Sequence, residues 1–200
     1  MRTIMCVLVF VALLTAVGQA TTLGLSRGHY PLVVSDWINI SYDPNSGGEG
    51  HGLFTASGFT NVVQSSDSND YPANFGSFEL TAVIEPSTGL ADSGTLLLTQ
   101  LDGYGDPTTL FSSSGIIDFG YCAEDHFEFL FTQDSGILAQ AGDTLGIILD
   151  GRNIEQFSEP RFDIAFSGDG SATSDTFYLP EPASMSLLIF GGLCLLRRRK

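Results

Sequence analysis

Lysine is missing from the first 199 of 200 residues, and the chain holds only three cysteines, three histidines and one tryptophan, Trp37. Without lysine no Gly-x-x-x-x-Gly-Lys phosphate loop can form, and Schiff-base chemistry falls away. Cys6 and Cys194 lie in apolar runs near the two ends, so Cys122 stands alone in the body. That excludes a disulfide within it and calls for a hydrophobic core that needs no staple. His126, four residues on, is the one local base a Cys122 nucleophile could use. His29, His51 and His126 are far apart and form no H-x-H or H-x-x-x-H pair, and no Cys-x-x-Cys occurs. A catalytic zinc site is therefore not expected, and neither a metal nor any other cofactor is assigned.

Basic residues are scarce where acids are plentiful. The formal charge is −15, but Arg2, Arg197, Arg198, Arg199 and Lys200 sit in the terminal segments. Between residues 21 and 179, 22 acids face only Arg27, Arg152 and Arg161, a formal charge of −19. Such a surface repels nucleic acid and anionic lipid heads, so neither is expected as a direct partner of this region. The acids also serve simply to keep an extracellular domain in solution.

The two ends carry the most readable signals. Residues 1–20 place Arg2 before the uncharged apolar run 4–17 and end on Gly18-Gln19-Ala20. A run that short, closed by small side chains, has the form of a signal peptide, with cleavage expected after Ala20. At the other end Pro180-Glu181-Pro182 precedes the uncharged run 183–196, and Arg197, Arg198, Arg199 and Lys200 follow. A helix over that run is roughly 21 Å long at about 1.5 Å per residue, short of the ~30 Å hydrocarbon core. It predicts a short transmembrane helix and a weak anchor, with its basic cluster on the cytoplasmic side and the bulk of the chain outside.

These three parts in this order resemble the PEP-CTERM sorting signal of Gram-negative bacteria. The resemblance implies an exosortase-type processing enzyme, an integral-membrane cysteine transpeptidase, as a partner acting at or near Pro180-Glu181-Pro182. Two prolines suit a protease handle, since each fixes φ and removes an amide donor, leaving the strand extended and unpaired. The expected course is export, transient anchoring in the inner membrane through the C-terminal helix, then release to the cell envelope or the extracellular space, with exopolysaccharide as a further partner. The chain divides accordingly into a signal peptide at 1–20, an acidic all-β ectodomain at 21–179 ending in a short stalk, and a sorting and anchor segment at 180–200.

Period-two alternation dominates the ectodomain. Phe78, Leu80, Ala82 and Ile84 fall on one face of a strand, and Phe127, Phe129 and Phe131 on one face of another. Further strands are predicted over 31–42, 53–57, 59–64, 94–101, 108–112, 116–121, 144–150 and 161–167. In the last, Phe162, Ile164 and Phe166 point inward, and in the first Asp36 shares a face with Ile38, Ile40 and Tyr42. The segment 65–74 reads as a polar loop, and 167–178 as a stalk in its first half. No 3.6-residue period persists outside the termini, so the expected fold is all-β, an antiparallel β-sandwich or roll that closes two apolar faces on each other. The strand blocks starting at Phe78, Ser93, Phe127 and Gly142 are similar to those of PEP-CTERM ectodomains with no assigned activity.

No cluster in the ectodomain singles out a catalytic pair, and a non-enzymatic exported surface or matrix protein is the leading expectation. The alternative is a module of the same fold that binds a glycan or calcium. Trp37, Tyr71, Tyr104 and Tyr121 are the candidate sugar-stacking residues. The acids of 67–70, 102–106 and 169–175 are the candidate oxygen ligands of a hard cation, though none matches the D-x-D-x-D-G loop. A hydrolase would need two acids converging in a cleft. Ice binding would need a regular threonine array, and no Thr-x-Thr ladder occurs.

Overall fold

The computed structural model describes residues 22–25, 32–64, 70–122, 125–139, 144–154 and 162–175, with 70–74, 122 and 175 described in their backbone only. The signal segment, the Pro180-Glu181-Pro182 motif and the terminal basic cluster lie outside these residues. Among the described residues no helix is long and apolar enough to cross a membrane.

The alternating apolar pattern forms nine strands: β1 (Leu32–Asp43), β2 (Gly52–Gln64), β3 (Asp70–Glu85), β4 (Leu90–Leu101), β5 (Pro107–Ser113), β6 (Ile116–Cys122), β7 (His126–Thr132), β8 (Thr144–Arg152) and β9 (Phe166–Asp175). All pair antiparallel in a single sheet, in the order β5-β4-β3-β2-β1-β9-β8-β7-β6. The two apolar faces expected of a sandwich are thus the two halves of one sheet, which curls into a nearly closed barrel. Every two strands consecutive in sequence pair except β5 and β6, and one further pairing closes the order. The β1·β9 pairing joins the first and last strands, and β5 and β6, consecutive in sequence, sit at opposite ends of the order.

That gap is bridged by the segment that leaves β7. Ser112 donates its amide to Ser135 O at 2.7 Å, and Ile137 and Leu138 donate theirs to Thr109 O at 3.0 Å and Leu110 O at 3.2 Å. The free edge of β5 is thereby covered, so its amides and carbonyls do not template a second chain. Asp134 holds the same corner, accepting from the Ser114 amide and hydroxyl, both at 2.7 Å, and from Thr132 Oγ1 at 3.0 Å. These bonds hold its carboxyl below the usual carboxylate range.

Inside the curl the predicted inward faces meet. Phe54 packs on Phe127 and Phe129, each at 5.2 Å between ring centroids, and Phe119 lies 4.8 Å from Phe129. Tyr42 stacks on Phe166 and donates its hydroxyl to Phe162 O at 2.9 Å. Burial, with Asp43 and Asp163 nearby, pushes the Tyr42 hydroxyl up to about 12.

Four local expectations are overturned. Residues 53–57 and 59–64 form one strand, because Gly58 lies against the Ile38 backbone, where a side chain would not fit. The polar loop expected over 65–74 gives way to β3 at Asp70. Residues 162–165 turn rather than extend, which leaves Ile164 exposed while Phe162 and Phe166 are buried. The presumed stalk is β9, seated between β1 and β8 and burying Ala172, Thr173 and Ser174. Its residues are small because its neighbours already fill the space, so it carries no apolar alternation to read.

Candidate functional site

β1 does not keep one phase along its length. Val33 and Ser35 are buried, then Ile38, Ile40 and Tyr42, so the inward positions move from odd to even between residues 35 and 38. The ladders agree: Asp36 pairs with Phe59 and Asn39 with Ser57, while on the other side Ser35 pairs with Ala172 and Ile38 with Gly170. One extra residue is accommodated as a β-bulge, and such bulges re-aim a side chain. Asp36 therefore does not join the inward face expected for it. Trp37, in the bulge, has a φ of 55° and is 80% exposed. A left-handed backbone at a bulky residue costs of order 1–3 kcal/mol and tends to mark functional surfaces.

Beside Trp37 a groove of about 490 Å³ opens on the outside of the sheet, lined by Asp36, Trp37, Asn39 and Phe59 from β1 and β2 and by Arg152, Asp169 and Gly170 from β8 and β9. The sheet register brings them together: Asp36 lies across from Phe59, Asn39 across from Asp169, and Asp169 across from Arg152. Asp36 Oδ2 accepts from Asn61 Nδ2 and Asp169 Oδ1 from Asn153 Nδ2, each at 3.1 Å, so both carboxylates are oriented by amides and keep acceptor capacity. Among the described residues Arg152 enters no ion pair. Phe59 is about half exposed.

No protein-family model, curated protein or solved structure matches this chain. What the groove can hold follows from its side chains. Two exposed aromatic faces offer apolar contact, and carboxylate, amide and guanidinium groups around them offer directional donors and acceptors. A polyhydroxylated ring with one apolar face satisfies both.

The other sequence candidates fare differently. Tyr121 is buried against Phe119 and Phe162 and belongs to the core. Tyr104 is exposed at the tip of the β4–β5 turn, and the Tyr71 side chain lies outside the described residues. In that turn Asp102 Oδ1 accepts from the amides of Tyr104 at 2.8 Å and Asp106 at 2.9 Å, the work of a turn-forming aspartate. Residues 169–175, expected as a flexible cation loop, are part of β9. Residues 67–69 lie outside the described set, as do His29 and the Cys122 side chain. Among the described residues no three His, Cys, Asp or Glu side chains gather as a metal site.

His126 pairs across the hairpin with Cys122, but its ring is engaged elsewhere. Nδ1 lies 2.7 Å from Asp150 Oδ1 and Nε2 3.1 Å from Glu128 Oε1, so the ring is not free to serve a thiol as base. Glu128 is buried and also accepts from the Gly24 amide at 2.9 Å, which ties the segment 22–25 to β7. The run 24–28 spells Gly-x-Ser-x-Gly; its described part, residues 24 and 25, lies in neither a strand nor a helix, and its serine lies outside the described residues. His51 is raised above the ordinary histidine range, first by the Glu49 carbonyl and then by Asp92.

Proposed function

We propose that this chain is an exported envelope or matrix protein whose nine-stranded body is a non-catalytic module that binds a glycan on its outer face. The observation that carries the binding reading is Trp37: a bulky residue held in a strained bulge, turned to solvent and seated on the wall of a polar groove. Left without a ligand, a surface tryptophan in that conformation costs stability and returns nothing in packing. The export reading rests on the tail, Pro180-Glu181-Pro182, the apolar run and the Arg197 to Lys200 cluster, together with the short apolar start ending at Ala20. An acidic body without a disulfide is consistent with display outside the cell.

Isothermal titration of the purified protein against a panel of neutral oligosaccharides tests the binding reading. Trp37→Ala should lower the affinity by about tenfold while leaving the thermal midpoint close to that of the wild type, since alanine keeps the Cβ and the exposed ring packs on little. Equal affinity in the variant would refute it. Mass spectrometry of both termini, in cells with and without the sorting enzyme, tests the export reading. Mature chains should begin at Thr21 and end near Pro180-Glu181-Pro182, and cellular protein retaining both Met1 and Lys200 would refute that part.

A further inference from the structure

Trp37 is not the only aromatic residue held out in this way. On β3 the ladder steps from Thr60↔Gly76 to Val62↔Pro72, so four residues of β3 are spent against two of β2. Phe75 sits in that bulge with a φ of 59° and is 82% exposed. On the strand between them, Phe59 pairs with Asp36 on one side and Ser77 on the other. Trp37, Phe59 and Phe75 thus occupy three adjacent strands in a diagonal stripe, the two outer members each in a left-handed bulge. With strands about 4.8 Å apart and a rise of about 3.3 Å per residue, the backbone positions of Trp37 and Phe75 are roughly 12–14 Å apart. That is wider than a single sugar ring, so a monosaccharide reaches only one of them.

We infer that the occupant is an extended, uncharged polysaccharide chain that stacks on Trp37, Phe59 and Phe75 in succession; this rests on the glycan reading above. Its lack of charge rests on two features. The body carries −19 between residues 21 and 179, which repels uronate or sulfate chains, and the groove sets the guanidinium of Arg152 beside the carboxylates of Asp36 and Asp169, a mixed set of donors and acceptors that suits hydroxyl groups better than a row of like charges. Hydroxyl groups suit Asn39, Asp36 and Asp169 without adding charge. Three separated aromatic faces favour length over a closed, single-ring pocket.

The test is a ladder of gluco-, manno- and xylo-oligosaccharides of one to six rings, titrated by calorimetry into the wild type, Trp37→Ala and Phe75→Ala, with thermal melting of each protein as a check on folding. Affinity should rise with chain length in at least one series. Trp37→Ala should weaken every length, whereas Phe75→Ala should leave the shortest ligands unchanged and weaken the six-ring ligand by about tenfold. Trp37→Tyr should restore part of the loss. If Trp37→Ala weakens binding while Phe75→Ala is silent at every length, the extended chain is overturned and the groove survives. If Trp37→Ala is also silent, or the wild type binds nothing in the ladder, both fall. Tighter binding of a polyuronate or a deacetylated amino-polysaccharide overturns the uncharged class. A dimer in sedimentation that Trp37→Ala or Phe75→Ala dissolves assigns the stripe to a second copy instead.

Discussion

Replacing Gly170 with alanine is the most discriminating perturbation of the fold, because it asks whether residues 167–175 are a strand or a tether. A Cβ at Gly170 would lie 2.5 Å from Asp150 O and 2.9 Å from Ile40 Cδ1. The oxygen belongs to the β8 backbone, which cannot rotate away, so β8 and β9 must separate by several tenths of an ångström. Overpacking of this kind costs about 1–3 kcal/mol. Alanine also restricts the unfolded chain, which returns about 0.4–1 kcal/mol. The net loss is about 1–2 kcal/mol, a sizeable share of the 5–15 kcal/mol that holds a typical domain. Gly103→Ala is the control, since a Cβ there meets nothing within 4 Å and its φ is ordinary. Urea unfolding followed by circular dichroism should show a lower midpoint for Gly170→Ala at an unchanged slope, and a thermal midpoint lower by about 2–8 °C. A midpoint for Gly170→Ala equal to or above that of Gly103→Ala would refute the placement of β9 and, with it, the closure of the sheet.

Phe129 is fully buried among Phe54, Phe119 and Phe131, so Phe129→Ala should cost about 3–5 kcal/mol, measured as a loss in urea midpoint. Asp134 titrates below its unfolded value, so its contribution to stability is complete above about pH 4 and is lost as the pH falls through its lower folded value. Carbon-detected titration should find that lowered midpoint, and Asp134→Asn should flatten the acid limb of the stability profile below the ordinary carboxylate range; an unchanged limb would contradict the bonds drawn to Ser114 and Thr132.

Much of the body was legible because side chains alternate wherever a strand is half buried. Phe78 to Ile84 and Phe127 to Phe131 announce both the strands and the faces that meet in the core. The last strand was missed because β9 carries glycine, serine and alanine where larger neighbours fill the interior. A strand that contributes backbone rather than volume leaves no apolar period. The closure of one sheet, in place of two facing ones, was equally hidden, since pairing of β1 with β9 depends on partners more than 120 residues away in sequence, from Tyr42 with Phe166 to Val33 with Ser174.

Of the candidate site, Trp37 was legible as an aromatic but its bulge was not, because the extra residue shows only in the ladder. Phe59 and Phe75 went unremarked although a signal existed. Each stands at an odd offset from the inward residues of its strand, Phe54 and Phe78, and each adjoins a glycine. Arg152 and Asp169 reach the groove only through register. Register also builds a row that no local pattern shows: Ser167, Ser41, Thr55, Thr81 and Thr95 lie across from one another on five strands. Two pairs of that row bond to each other, Ser41 to Thr55 at 2.8 Å and Thr81 to Thr95 at 2.7 Å, which turns those hydroxyls sideways along the sheet.

The sole tryptophan of the chain stands at the proposed site, so its fluorescence reports on that site alone. In the free protein the emission should be that of a water-exposed indole and should be readily quenched by acrylamide, a neutral quencher that the acidic surface does not repel. Saturation with the neutral oligosaccharide that binds most tightly should shift the emission to shorter wavelength and protect it from the quencher. An indole already shielded in the free protein, or one whose spectrum and quenching stay unchanged at saturating ligand, would contradict a glycan stacked on Trp37.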